Sequence, residues 1–124
     1  MVTALLLALA VVRNPTLTPG VVRPLSLAQV CGTRWGHDRR FVTRAMKQHV
    51  FAAYGIPWAQ HAQYEVDHFE PRSLGGADVV ANLWPQPWPE AHEKDRREVQ
   101  LHRDVCAGRL SLAAAQAQMR AWHP

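Results

Sequence analysis

The sequence predicts a small α+β domain, and three observations in its second half lead to that prediction. Residues 64–69 alternate enough to form a short strand, which Pro71 ends. Residues 79–83 predict a second strand after the glycine turn at 74–77, so the two strands form a hairpin. Residues 90–107 predict a helix, because Pro89 suits its first turn and Gly108 ends it.

Two further helices flank this centre. The apolar residues between 39 and 54 follow a helical period, and Gly55 and Pro57 end that helix. Ser111 is placed to cap a last helix, whose apolar residues lie along one side. Residues 84–89 (Trp-Pro-Gln-Pro-Trp-Pro) predict a stiff connection, because three prolines forbid regular strand pairing.

The chain of 124 residues suits one domain. We expect residues 1–29 to be an apolar and then extended lead-in, and residues 30–124 to be the folded domain. The apolar run at 1–12 is too short to span a bilayer, which takes about 20 residues. It resembles the apolar region of a secretory signal, although no Lys or Arg precedes it. We therefore expect a secreted or periplasmic protein, with a cytoplasmic one as the alternative.

Cys31 and Cys106 leave two interpretations open. The chain contains no Cys-x-x-Cys pair, which argues against a four-thiolate zinc site. A disulfide between the two cysteines agrees with export, whereas two free buried thiols agree with a reducing compartment.

The net charge of +4 is unevenly distributed. Residues 1–50 carry seven basic side chains against Asp38 alone, giving +6, and residues 51–124 carry seven basic and nine acidic side chains, giving −2. Such a division suits a polyanion-binding surface beside a metal site. Arg40, Arg44 and Lys47 on the 39–54 helix could lie along a phosphate backbone. A solvated helix face explains the same charges equally well.

The groups that carry chemistry begin with the adjacent pair Asp67 and His68 at the end of the first strand. Asn82 follows fourteen positions after the histidine, beyond the glycine turn. Hydrolysis of a phosphodiester requires a base for water and a cation for the phosphate charge. The pair and the asparagine therefore predict a base, a metal ligand and a positioning amide.

The 90–107 helix places polar groups on its apolar face. At about 100° per residue, Lys94, Asp95, Glu98 and His102 interleave with the apolar residues, and His92 lies at the edge. Charged groups on an inward face cost free energy unless they are paired or bind a metal. Lys94 and Glu98 form an i,i+4 pair, so internal salt bridging and metal binding both remain open.

Together these residues resemble the HNH endonucleases of the ββα-metal fold, and most closely the small, often exported bacterial HNH-like proteins. The resemblance covers about residues 31–122. The shared features are Asp67-His68, Leu74-Gly75-Gly76, Asn82-Leu83-Trp84-Pro85-Gln86, Lys94-Asp95, Glu98, Leu101-His102 and Val105-Cys106-x-Gly108-Arg109. It implies a ββα-metal centre inside the α+β domain.

The resemblance also implies roles for single residues. His68 is the general base that deprotonates water, and Asp67 binds the divalent cation. Asn82 ties the connecting loop and orients His68. The helix ligand of the family falls at Ala91 here, so His92 becomes the nominal ligand, with Glu98 and His102 as rivals. Mg²⁺ is the expected cation, and Mn²⁺, Zn²⁺ and Ni²⁺ are alternatives.

The function implied is a divalent-metal-dependent endonuclease that hydrolyses DNA, with RNA as a further substrate to consider. Arg40, Arg44, Lys47 and Lys94 are the expected nucleic-acid contacts. We expect no membrane span, and the sequence leaves an immunity partner open. One alternative is a basic module that binds nucleic acid on the same scaffold without turnover. Another is a secreted structural protein with a stabilising metal site.

Overall fold

The computed structural model describes residues 11–124, which fold into a small α+β domain with a two-stranded antiparallel sheet. This confirms the predicted fold class at the level of α+β. The elements are α1 (Leu27–Gly32), α2 (Arg44–Ala53), β1 (Tyr64–His68), β2 (Leu83–Pro87), α3 (Trp88–Cys106) and α4 (Leu112–Ala121). Short 3₁₀ turns occupy Trp58–Gln63, Arg72–Leu74 and Val80–Asn82.

The second strand begins four residues later than the sequence predicts. Residues Val80–Asn82 form a 3₁₀ turn, and β2 runs through the proline-rich segment that we expected to be unpaired. It pairs with β1 so that Tyr64 faces Pro87 and Asp67 faces Trp84. A two-stranded sheet gives each strand a free edge, where a proline lacking its N–H costs no ladder hydrogen bond.

The helices follow their capping residues closely. Helix α2 starts at Arg44 rather than at residue 39, because the Thr43 hydroxyl accepts a hydrogen bond from the Met46 N–H. Helix α3 ends just before Gly108, whose φ of 76° suits a residue without a side chain. Ser111 caps α4 as predicted, accepting from the Ala114 N–H.

Residues 11–26 belong to the folded domain, although the sequence suggested an extended lead-in that ends near residue 29. The hydroxyl of buried Thr18 donates to the Leu83 carbonyl at 2.9 Å. Val22 forms a β-bridge with Gly76. A Cβ on Gly76 would lie 1.7 Å from the Glu70 carbonyl oxygen, so only glycine lets the loop close here. The first ten residues lie outside the described part.

The apolar core lies mainly between α3 and α4. Leu74, Leu101, Val105, Ala115 and Met119 form one buried cluster. A second group lies beneath α2, where the Phe51 ring makes edge-on contacts with Trp58 and Tyr64. Together the two groups hold α3 and β1 in place on either side of the polar residues described below.

A disulfide between Cys31 and Cys106 joins α1 to the end of α3, with the two Cα atoms 5.6 Å apart. Of the two interpretations that the sequence left open, the structure therefore contains the disulfide. Within residues 11–124, no helix is both long and apolar enough to cross a membrane.

Replacing both cysteines by serine should lower the free energy of unfolding by about 2–5 kcal/mol, because the unfolded chain loses a covalent closure. The closed loop spans 75 residues in sequence. Urea unfolding of the oxidised protein and of the Cys31→Ser/Cys106→Ser variant measures the difference. Equal unfolding midpoints and slopes would contradict the expectation, and reduction of the native protein should reproduce the variant's loss.

Candidate active site

A cavity of about 340 Å³ opens between the end of β1, one face of α3 and the loop before α2. Its walls combine carboxylates, two arginines and the predicted base. The charged and titratable residues that line it are Arg40, Glu65, Asp67, His68, Arg72, Asp95 and Glu98. Asp67 and His68 thus line one cavity, although they are adjacent on a strand, because the strand ends at His68.

Three carboxylates form a cluster that could hold a cation. One oxygen each from Glu65, Asp67 and Asp95 lies within 4.8 Å of the others. Strand alternation turns Glu65 and Asp67 to the same face of β1, and α3 supplies Asp95. Glu65 Oε2 is buried and has no hydrogen-bond partner among the described residues. An all-oxygen set fits Mg²⁺ or Mn²⁺ better than zinc, which prefers nitrogen and sulfur ligands.

Burial and the neighbouring negative charges raise the proton affinity of two of these carboxylates, Glu65 and Asp95. Burial, followed by the charges of Asp67 and Asp95, raises the pKa of Glu65 to about 7. Burial and then the charge of Asp67 also raise the pKa of Asp95. A divalent cation would relieve this repulsion, so the cluster has an electrostatic reason to bind one.

Lys94 lies beneath the cluster and is only 1% exposed. Its ammonium is 2.8 Å from Asp67 Oδ2, donates to the His68 carbonyl at 2.8 Å, and pairs with Glu98. Burial alone would lower the pKa of Lys94, but Asp67 and Glu98 outweigh it and raise the pKa above its ordinary value. The expectation that Lys94 contacts nucleic acid is therefore wrong, because its charge is enclosed by protein oxygens.

His68 is held by a carboxylate that the sequence did not single out. Its Nε2 lies 2.7 Å from Asp78 Oδ1, and an ionised carboxylate only accepts, so Nε2 carries the proton. The lone pair is then on Nδ1. Burial lowers the pKa of His68, although Asp78 and Asp67 oppose that effect. The imidazole is consequently neutral near pH 7 and able to accept a proton.

Asp78 is in turn held from three sides. The Phe41 N–H donates to its Oδ2 at 2.8 Å, and Arg72 Nε donates to its Oδ1 at 2.9 Å. Burial alone would raise the pKa of Asp78, but the combined effect of these donors and His68 is larger and lowers the pKa below its ordinary value. The carboxylate therefore stays ionised. Arg72 also forms two hydrogen bonds with the carboxylate of Asp38, at 3.0 and 2.6 Å. The His68 ring is therefore oriented by Asp78, which is bound by Arg72, which in turn is bound by Asp38.

Asn82 ties the connecting loop together from inside. It is fully buried, and its amide makes four hydrogen bonds within residues 11–124, all to the backbone of Val21, Glu70 and Ala77. The backbone carbonyl of Asn82 accepts a hydrogen bond from the Phe69 N–H at 2.8 Å. Asn82 thus positions the segment that follows His68, whereas Asp78 makes the side-chain contact with the ring.

The three rival helix ligands occupy different places. His92 is exposed, and its ring stacks on Trp88 with centroids 5.5 Å apart, because it lies about 160° around α3 from Lys94. His102 lies about 12 Å further along the helix axis than Lys94, where Nε2 donates to the Val30 carbonyl. Only Glu98 lines the cavity with Asp67, and it is engaged by Lys94. The structure brings neither histidine to the carboxylate cluster.

Of the other expected nucleic-acid contacts, Arg40 lines the cavity, and Arg44 and Lys47 lie on α2. Arg40 precedes α2 and lines the cavity directly. Arg44 and Lys47 are exposed on α2, and the Arg44 guanidinium lies 5.8 Å from the centre of the Trp58 ring.

Sequence reasoning assigned no role to three residues of the site, Glu65, Asp78 and Arg72, and named Asp95 only as one of the inward polar groups of the helix. A signal existed for Glu65 and Asp95: Glu65 is two positions before Asp67 on a strand, and Asp95 lies on the inward face of the helix. Local sequence carried no signal for Asp78 or Arg72, because their roles follow from the path of the loop. The His68–Asp78 contact spans ten residues and the Arg72–Asp38 pair spans 34.

No protein-family model matches the chain, and no curated protein or solved structure is significantly similar to it. The residues of the cavity and their geometry are therefore the basis for inferring what the protein does.

Mn²⁺ should bind at the carboxylate cluster with an affinity that rises with pH through about 7, because Glu65 must lose its proton to act as a ligand. Below that pH the affinity should fall by up to about tenfold per unit for each proton displaced. Calorimetric titration of the protein with Mn²⁺ at several pH values measures this dependence.

Glu65→Gln should weaken Mn²⁺ binding at least about tenfold and flatten its pH dependence. Glu93→Gln provides a matched control, since Glu93 is an exposed carboxylate on α3 outside the cluster. Wild-type affinity with an unchanged pH slope in Glu65→Gln would rule out this ligand set.

Proposed function

We propose that the protein is a divalent-metal-dependent endonuclease of the HNH type, which hydrolyses phosphodiester bonds in DNA. One observation carries the proposal. A neutral histidine braced by an ionised carboxylate lines the same cavity as a three-carboxylate cluster. The order strand, strand, helix in β1, β2 and α3 agrees with a ββα-metal centre, in which the strand end supplies the base.

In the proposed reaction His68 accepts a proton from water at Nδ1, and the water oxygen forms a bond to phosphorus. The ester bond between phosphorus and the leaving deoxyribose oxygen breaks, and that oxygen takes up a proton from solvent. Asp78 holds the ring in the required tautomer and stabilises the imidazolium that forms. Because Asp78 is itself bound by Arg72 and the Phe41 N–H, the ring keeps its orientation as its charge changes.

Glu65, Asp67 and Asp95 would hold the cation, for which Mg²⁺ and Mn²⁺ are the best fits. When bound, the ion would neutralise the negative charge that develops on the phosphate and on the leaving oxygen. Arg40 is exposed at the cavity and is available to a phosphate of the same strand. Arg72 serves a different purpose, since Asp38 and Asp78 occupy its guanidinium.

We also propose that the protein acts outside the cytoplasm. The Cys31–Cys106 disulfide is compatible with an oxidising compartment.

Lys94 supports a second candidate, a nucleic-acid-binding module without turnover. Its ammonium already pairs with Asp67, so a protein charge takes part of the role that a cation would have at this carboxylate. A module of this kind would bind DNA through Arg40, Arg44 and Lys47 and leave it intact.

Supercoiled plasmid incubated with Mg²⁺ or Mn²⁺ should be nicked by the wild-type protein and left intact with EDTA. His68→Ala should lower the rate about 10²- to 10⁴-fold, because water loses its base. His49→Ala is the matched control, since His49 is exposed on α2. Unchanged nicking by His68→Ala would refute the proposed base. DNA binding without cleavage under any metal would favour the non-catalytic module.

Asp78→Asn should lower the nicking rate by about 10- to 100-fold with little change in DNA affinity, because His68 loses its anionic partner while the amide oxygen can still accept from Arg72 or the Phe41 N–H. Single-turnover rates and Kd measured on the same variant separate the two quantities. A loss of affinity with an intact rate would instead assign Asp78 to substrate binding.

A further inference from the structure

A second cavity of about 300 Å³ adjoins the candidate active site. The two cavities share two wall residues, Arg40 and Glu65, so they lie next to each other along β1. The residues that give the second cavity its chemistry are Lys47, Trp58, His61 and Trp88. Its size is at the lower end of small-ligand pockets, about 300–1,000 Å³.

Trp88 is an exposed aromatic ring of this cavity, and the His92 ring packs against it with centroids 5.5 Å apart. Trp58 and His61 stack in parallel, with centroids 4.4 Å apart and planes 7° apart. Trp88 donates from Nε1 to the Ala62 carbonyl at 2.9 Å and is nevertheless 39% exposed. An exposed indole anchored by a hydrogen bond offers a flat apolar surface without a loss of side-chain entropy on binding.

Basic residues flank these rings. Arg40 and Lys47 line the cavity, and Arg44 lies over the Trp58 ring from α2. Aromatic faces beside cationic side chains suit a ligand that has a flat ring and a phosphate, which is the chemistry of a nucleotide. The wall shared with the carboxylate cluster places such a nucleotide next to the phosphate of the proposed reaction.

We propose that this cavity binds an unpaired base of single-stranded DNA, one nucleotide away from the phosphate at the carboxylate cluster. The proposal rests on the proposed function and narrows its substrate to a strand whose bases can leave the stack. In a duplex each base face is covered by its neighbours, and only base edges are exposed in the grooves. A recess lined by aromatic faces therefore gains stacking only from an unpaired base.

The test is binding of fluorescein-labelled oligonucleotides of about 12 nucleotides, read by anisotropy, in the His68→Ala background with Mn²⁺. The arms are single-stranded DNA, the matching duplex and single-stranded RNA. Single-stranded DNA should bind tighter than duplex. Trp88→Ala should weaken single-strand binding about 5- to 100-fold and leave duplex binding unchanged, because one base loses its stacking partner.

Two further variants separate stacking from folding and from charge. Trp88→Phe keeps a flat ring and loses the Ala62 hydrogen bond, so it should retain most single-strand affinity if stacking is the cause. Lys47→Ala should weaken binding and lower its salt dependence, whereas Arg96→Ala, an exposed cation on α3, should change neither. RNA binding as tight as DNA binding supports the base cavity without sugar selectivity.

Equal affinity for single strand and duplex, with no effect of Trp88→Ala, would overturn the proposal even if the wild-type protein nicks plasmid. Conversely, Trp88-dependent single-strand binding by a protein that cleaves nothing would uphold the base cavity and refute the proposed hydrolysis. The two failures are therefore distinguishable.

Discussion

The buried ammonium of Lys94 is the constraint on which the site depends. A charge that is 1% exposed is tolerated only when its desolvation is offset by close partners, and here those partners come from two elements. Asp67 and the His68 carbonyl belong to β1, while Glu98 lies one turn along α3. Satisfying Lys94 therefore sets the distance and rotation of α3 against the strand. Asp95, the next residue, is brought to Asp67 and Glu65 as a consequence.

The loop between the strands has a comparable internal support. Asn82 bonds to backbone atoms on both sides of the loop, and Gly76 lets the chain pass against Glu70 where any side chain would collide. Asp78 lies between these two points, so the path of the backbone delivers its carboxylate to His68. The position of the base is thus determined by a loop that contains little regular secondary structure and is instead held by buried polar contacts.

Local patterns in the sequence predicted the α+β class, the end of α3 and the cap of α4, because capping and chain-breaking residues act over a few positions. Those patterns failed for β2. Proline disrupts a strand that is paired on both sides, whereas β2 pairs only with β1 among residues 11–124. The helical periodicity of the sequence identified the inward face of α3, but it did not decide which residue on that face is the metal ligand. Choosing Asp95 over His92 requires the rotation of α3 about its axis, which depends on the long-range contact of Lys94 with β1. Predicting the contact of Asp78 with His68 requires the path of the whole loop between the strands.

Lys94 and a divalent cation are compatible at Asp67. A carboxylate has two oxygens with about four lone-pair sites, and the Lys94 ammonium lies 2.8 Å from Oδ2, which leaves acceptor capacity for a second cation. The ammonium also offsets one of the four carboxylate charges contributed by Glu65, Asp67, Asp95 and Glu98. Burial, followed by the charges of Asp67 and Asp95, raises the pKa of Glu65 to about 7, and the charge of Lys94 opposes that rise. By offsetting part of the negative charge, Lys94 favours the ionised form of Glu65, which is the form that binds a cation. The lysine therefore prepares the cluster for a cation, and its presence is consistent with metal-dependent hydrolysis.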